Sequence, residues 1–366
     1  MKTSTDRILT THTGSLPRPA SLTDRHDETQ VQAAVAETVQ RQLAAGVDVI
    51  NDGEMSKPSY ATYVQERLTG FGGDPQPLPQ RGFEEFPEFA ARMTGDPEMA
   101  AVYFNPGCTG PVSYTGTEQV AADIAHLSAS AGGATEVFMS AASPGVIAMF
   151  MPNRYYPSEG DYLQALAEAM KTEYDAVSQA GFVLQLDCPD LAVGASIGPE
   201  LTTEEFRRKV SERLAALDYA TRDIPPDRLR MHLCWGNYEG PHQLDIPLAD
   251  IIDLVLAARP SAVSFEGANP RHEHEWTVFE DVKLPDGKVI IPGVLDSTTN
   301  YIEHPDLVAQ RITRYAEQVG RENVLAGSDC GFATFSGLLT VDPKITWAKL
   351  AAMAEGARRA SARLWG

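Results

Sequence analysis

The feature that most restricts the fold is a repeated order. A short apolar run is followed by a polar or glycine-rich step, and then by a stretch with helical spacing. Eight such runs read as strands, at 7–12, 47–52, 136–140, 182–187, 229–234, 261–266, 289–295 and 323–329. Stretches at 27–45, 161–180, 202–221, 247–258, 305–319 and 343–362 repeat apolar residues every three or four positions, as a helix with one buried face does. Alternating strands and helices build a parallel sheet, because each parallel pair needs a crossover long enough to hold a helix. The eight runs predict an α/β fold, a closed (β/α)8 TIM barrel, with a doubly wound open sheet as the alternative. Residues 70–135 interrupt the order with glycine-, proline- and phenylalanine-rich sequence. They are expected as an insertion between strands two and three, packed over one end of the barrel, where long excursions are often lids or binding loops. Residues 1–366 are then a single domain, although length alone would suggest two at about 150 residues each.

Nearly every run ends in chemically capable side chains: His12 to Ser15, Asn51 to Glu54, Asp187-Cys188, His232 and Cys234, Glu266, Asp296, and Asp329-Cys330. In a (β/α)8 barrel all strand C-terminal ends meet at one face, so residues three hundred positions apart become neighbours. His232 and Cys234 stand at i and i+2, on one side of a strand. Imidazole and thiolate are first-choice zinc ligands, and Glu266 and Cys330 end nearby strands. The four offer N, S, O and S donors for one tetrahedral zinc. A lone His-x-Cys would more simply be a core histidine beside a buried cysteine acting as a small hydrophobe. The matching strand ends of Glu266 and Cys330 favour the metal. Cys108 and Cys188 receive no role.

Charge narrows the partners. Carboxylates exceed Lys and Arg by 20, which disfavours nucleic acid and anionic membrane surfaces and favours a small-molecule substrate. Four cysteines are too few for a disulfide scaffold. The opening MKTSTDRILTTHTG has no apolar core of signal-peptide type, and no stretch has the apolar length of a membrane span. A reducing cytoplasm is the expected location.

These residues resemble the cobalamin-independent methionine synthase family, in particular its C-terminal catalytic barrel. They look still more like single-barrel relatives such as epoxyalkane:coenzyme M transferase (2-hydroxypropyl-coenzyme M lyase). The resemblance rests on THTGSLPRP at 11–19, GVDVINDGEMSKPSY at 46–60, VFMSAASPG at 137–145, LQLDCPDLA at 184–192, HLCWGNYEGPH at 232–242, SFEGAN at 264–269, GVLDSTTNYIEHP at 293–305 and GSDCGF at 327–332. It implies Zn2+ as cofactor, held by His232, Cys234, Glu266 and Cys330. It also implies that Gly14 and Ser15 hold an amino-acid carboxylate, and that Glu54 and Asp187 hold its amine. Two family features have no counterpart. The proton-donor His after strand seven is replaced by Asp296-Ser297-Thr298-Thr299, and the pterin-stacking Trp by Ile147-Ala148-Met149-Phe150.

The chemistry implied is zinc activation of a thiol, since the thiolate is the nucleophile and a free thiol is mostly protonated at neutral pH. One reading is a thiol S-alkyltransferase that passes a methyl group to homocysteine or a related thiol. The other is a carbon–sulfur lyase-class enzyme that adds a small thiol to an epoxide. A non-catalytic zinc store is a third reading, disfavoured by Glu54 and Asp187 at other strand ends. A metal-free barrel of the uroporphyrinogen decarboxylase type is disfavoured by His-x-Cys. Tyr60, His304 and His12 are the candidate proton donors, although His304 also suits a cap on the helix starting at Pro305. Lys57, Arg154, Tyr155 and Tyr156 are candidates for holding a sulfonate or carboxylate.

Overall fold

The computed structural model describes residues 1–78, 81–94 and 104–366. Its strands are β1 (Val49–Ile50), β2 (Phe71–Pro77), β3 (Phe104–Cys108), β4 (Glu136–Ala142), β5 (Val183–Asp187), β6 (Leu229–His232), β7 (Ala262–Phe265), β8 (Val289–Leu295) and β9 (Gly327–Ser328). β2 and β3 form an antiparallel pair. The other seven form one parallel sheet in the order β1-β4-β5-β6-β7-β8-β9.

The sheet curls. Between its two edges runs the segment Leu9–Thr11, bonded to both. Thr11 N donates to Ala326 O at 2.8 Å and Ala326 N to Leu9 O at 2.9 Å, while Asp48 N and Val49 N donate to Thr10 O at 3.1 and 3.0 Å. Seven strands therefore form where eight are expected. The run 7–12 contributes a single bridge, Thr10 to Ala326. The reason is local. Thr10 N donates to the Asp48 side chain at 2.9 Å rather than to a β1 carbonyl, so no ladder extends there.

The parallel register sets the depth of each side chain. Ser140 pairs with Gln185 and Gln185 with Arg230; two residues on, Ala142 pairs with Asp187 and Asp187 with His232. Because i and i+2 share a face, these rows stack on the concave side of the sheet. Below them Leu9, Val49, Phe138, Val183, Ala262, Val289, Ile291 and Leu325 form a small apolar floor. The larger core lies between sheet and helices.

Five of the six expected helices form with local signals in place. Asp27 caps Glu28–Ala44 by accepting from Thr29 N and Gln30 N, and a Thr202–Glu205 capping box opens Thr203–Ala220. The stretch 247–258 instead divides into a one-turn segment, Leu248–Asp250, and the helix Ile252–Ala257. Between β1 and β4 lie the β2–β3 hairpin, the turn Arg81–Phe83, the helix Pro87–Thr94 and the helix Thr117–Ser130. The last falls within the span expected as an insertion, yet it packs on Glu28–Ala44 and Glu159–Gln179 as a crossover helix would. Residues 79–80 and 95–103 of that span lie outside the described residues. Arg81–Phe83 leans on the loops beyond β5 and β6. Arg81 N donates to Ser196 O at 3.2 Å, Gln243 Nε2 donates to Gly82 O at 2.9 Å, and the Phe83 ring meets the Tyr238 ring edge-on at 5.6 Å. Among the described residues no helix is long and apolar enough to cross a membrane.

Candidate metal centre and substrate cavity

The sheet ends assemble the site. His232 is the last residue of β6, Cys234 follows by two, Glu266 follows β7 directly, and Cys330 lies two residues past β9. The ligand atoms of His232, Cys234 and Cys330 all lie within 4.8 Å of one another, and the three residues are buried. The two sulfurs are 3.7 Å apart and both thiols are free. His232 Nδ1 is 3.1 Å from Ser264 Oγ, which fixes the ring, while its buried Nε2 has no hydrogen-bond partner. A buried imidazole nitrogen left unpaired costs free energy unless something binds it. Glu266 stands beside this trio, its side chain against Cys234. Its oxygens accept from Trp235 N at 2.6 Å and Asn269 Nδ2 at 2.7 Å. Asp329 holds that loop in turn, accepting from Gly267 N, Ala268 N and Asn269 N at 2.8 Å each.

The titration shifts fit a cation site. Burial, with help from Arg230, lowers the His232 pKa to about 3, so the ring is neutral and able to ligate. The Cys330 thiol, then burial, pushes the Cys234 thiol up. Burial, then Cys234, pushes the Glu266 carboxyl up. The charged forms of Cys234 and Glu266 are disfavoured by the protein alone, and a divalent cation is what would hold thiolates and carboxylate together. The donor set of one imidazole, two thiols and a nearby carboxylate suits zinc.

Above the metal trio stand two carboxylates. Glu54 adopts φ +62°, unusual for a residue with a side chain, and accepts from Ser140 Oγ at 2.7 Å. Its backbone is held by Asp52, whose Oδ1 accepts from Glu54 N at 3.0 Å. A Cβ at Gly14 would strike Glu54 Oε1, so a side chain there would displace the Glu54 carboxylate. Asp187 Oδ1 accepts from Gln185 Nε2 at 2.7 Å, and Gln185 Oε1 accepts from the buried Arg230 Nε at 2.7 Å. Burial first, and then the charge of Glu54, lift the Asp187 pKa to about 8. Ser15 reaches the other side, where its oxygens accept from Phe332 N and Ala333 N just beyond Cys330.

A cavity open to solvent joins these groups. Ser15, Glu54, Asp187, His232, Cys234 and Cys330 line it at depth, and Tyr60, Leu78, Met149, Phe150, Val193, Ile197, Phe335 and Leu338 line it above. Among the described residues no Lys or Arg lines it.

Other expected residues fall elsewhere. His304 does not reach the cavity. Its side chain is 72% exposed, and Nδ1 accepts from Asp306 N at 3.1 Å, capping the helix Pro305–Val319. His12 is buried behind the wall, with Nε2 2.8 Å from Gln42 Oε1. Tyr60 does line the cavity, its ring edge-on to Phe150 and Phe335. Lys57 is buried under Ser140, donating to its carbonyl at 2.6 Å. Arg154 packs against the hairpin at Gly107, and Tyr155 is exposed. Sequence reasoning passed over Ser140, Gln185 and Arg230, the polar layer under the site. Their signal was polar residues at alternate positions in otherwise apolar strands. It also passed over the helix Pro144–Phe150, which supplies Met149 and Phe150 and is announced by Ser143 at the cap and Pro144 at the first turn.

Comparison with known proteins places this geometry. The profile of the family described as Cobalamin-independent synthase, Catalytic domain, matches residues 102–358. The chain belongs to the cobalamin-independent methionine synthase family. It is 24% identical to a methionine synthase of Saccharolobus solfataricus over 369 residues, covering 96% of this chain and 94% of that protein. A methionine synthase of Sulfolobus acidocaldarius is also 24% identical, over 95% of this chain and 91% of its own length. Among solved structures, the B12-independent methionine synthase of Shewanella sp. in complex with selenomethionine superposes with a TM-score of 0.74 at 18% identity, over 98% of this chain and 99% of that one. The putative enzyme of Listeria monocytogenes gives 0.66 at 17% identity, over 98% and 99% of the two chains. The shared fold is the curled parallel sheet with its helices.

Proposed function

We propose that this chain is a zinc-dependent thiol S-alkyltransferase whose acceptor carries an ammonium group, with methyl transfer to homocysteine as the leading reaction. The reading treats the curled sheet as a (β/α)8 barrel closed by Leu9–Thr11. One observation carries it. The unpartnered Nε2 of His232 and the two sulfurs 3.7 Å apart lie at the bottom of a cavity that also presents Glu54 and Asp187. The family relatives named methionine synthase support it, as does the Shewanella protein solved with selenomethionine.

Cys234, Cys330 and His232 would hold the metal, with Glu266 as a fourth donor. When bound, zinc lowers the pKa of the incoming thiol and places its sulfur. The two Cys thiolates and the Glu266 carboxylate would bring three negative charges to a divalent ion, a donor set that would favour an electron-rich sulfur. Glu54 and Asp187 bind and orient the ammonium group; the Ser15 hydroxyl and backbone face the carboxylate. The sulfur then forms a bond to the alkyl carbon while the bond from that carbon to its leaving group breaks, the electron pair leaving with that group. The apolar roof excludes water from the reacting sulfur. Coenzyme M offers a sulfonate in place of the ammonium, and it would face two carboxylates with no lining cation.

The test is metal content and thiol consumption in the purified protein. About one zinc per chain, with homocysteine consumed and coenzyme M ignored when a methyl donor is present, is the expected result. Metal-free protein, or consumption of coenzyme M with an epoxide, would overturn the proposal.

A further inference from the structure

Above its deep polar groups the cavity presents an apolar wall. Four separate loops supply its upper wall: Tyr60 beyond β1, Phe150 in the helix after β4, Ile197 beyond β5 and Leu338 beyond β9. Leu78 from the hairpin completes it. The wall is preset, with the Tyr60 ring edge-on to Phe150 at 6.0 Å and to Phe335 at 5.8 Å, the favourable arrangement for aromatic pairs. Tyr60, Ile197 and Leu338 are only half-buried, so they keep apolar surface turned to the open space. A thioether with a one-carbon alkyl group at the metal would leave that surface wet. Polar recognition of a large carrier is thin, because the lining charges are the deep carboxylates and metal-ligating groups.

We propose that the site accepts S-alkyl groups of several carbons besides methyl, supplied by uncharged electrophiles with an apolar body. The inference rests on the thiol-alkylation reading and adds its substrate range. In atoms, the amino-thiol and the alkyl donor give the thioether and the protonated leaving group; the thiol's proton balances the departing electron pair. Each methylene moved from water onto the apolar wall strengthens binding about fourfold. A carboxylate at the end of the same chain finds no lining cation and binds more weakly.

The experiment measures binding of a product series to the zinc-loaded full-length protein by calorimetry: methionine, ethionine, S-butylhomocysteine and S-carboxyethylhomocysteine. Affinity is expected to rise about fourfold per carbon from methionine to S-butylhomocysteine. The carboxyethyl compound is expected to fall more than tenfold below the S-butyl compound. Ile197→Asp is expected to flatten the rise. Constant or falling affinity along the series, with methionine bound, overturns this inference and leaves thiol alkylation standing. Failure of all four compounds to bind, methionine included, overturns both.

Discussion

Replacing Glu54 with Gln keeps the shape of the cavity wall and removes one of two facing charges. Gln can still accept from Ser140 Oγ, which now lies 2.7 Å from Glu54 Oε1, so the wall should stay in place. What goes is a charge-assisted contact to the ammonium group of methionine or homocysteine. Such a contact contributes about 1.5–3 kcal/mol, roughly ten- to 150-fold in Kd. The loss should depend on pH, and the sign follows from Asp187. Burial and Glu54 raise the Asp187 pKa to about 8 in the wild type. Below that pH the pair holds a proton and carries one negative charge. In Glu54→Gln the neighbouring charge is gone, so Asp187 ionises at lower pH than in the wild type, although burial, the larger cause, still holds its pKa up. The wild type should therefore gain affinity for methionine as pH rises past 8, where it carries two charges, and the variant should make its gain at lower pH. Stability should move the opposite way. A carboxyl whose folded pKa is raised contributes stability at low pH that is lost as pH rises between about 4 and 8, and the variant should lose less. Calorimetric titration of the zinc-loaded proteins with methionine and with its des-amino analogue, from pH 6 to 9, reads this directly. A wild-type-to-variant ratio that is flat with pH, or an equal loss for the des-amino analogue, would refute the assignment of Glu54 to the amine.

Cys330→Ala should bind zinc too weakly to survive dialysis against a mild chelator that leaves the wild type loaded, as elemental analysis would show, while far-ultraviolet circular dichroism stays unchanged. His304→Ala should leave turnover intact and cost roughly 0.5–1 kcal/mol through the lost cap on Pro305–Val319, read as a small drop in thermal midpoint. Arg67→Met should be far more damaging. Arg67 is buried between Asp123 at 2.5 Å and Glu173 at 3.1 Å, and stranding those carboxylates costs about 3–5 kcal/mol in urea unfolding.

The grouping of His232, Cys234 and Cys330 was legible in the sequence because its signal is chemical and positional at once. His232, Cys234 and Cys330 are rare residue types, and each falls at a strand end, where a parallel sheet exposes its chemistry. Periodicity also placed β4 to β8 closely, since buried parallel strands are near-continuous apolar runs. The first strand was over-read: Leu9–Thr11 looks like a strand by composition, but the Asp48 side chain takes the hydrogen bond that a ladder would use. His304 was ambiguous in sequence because one histidine before a proline suits both a proton donor and a cap. Only the direction of its side chain separates the two. The apolar roof was not legible, since Tyr60, Ile197 and Leu338 come from loops whose path no spacing rule fixes.

The polar layer beneath the cavity explains why two carboxylates can sit side by side there at all. Arg230 is fully buried, bonded to Gln185 Oε1 at 2.7 Å, Thr11 Oγ1 at 3.0 Å and His12 O at 2.6 Å, with its guanidinium 3.7 Å above the Phe138 ring. Burial lowers its pKa to about 9, and Asp187 is the first charge that opposes the fall. Lys57 sits under Ser140 on the other side, and its charge also draws the Asp187 pKa down. Both cations lie below the carboxylates, where a substrate cannot reach them, and neither lines the cavity. They oppose the burial that raises the Asp187 pKa without neutralising the face turned to the cavity. A cavity built this way attracts a cation from above while its own countercharges stay buried below. On the proposed function, that arrangement would favour an ammonium group on the thiol over a sulfonate.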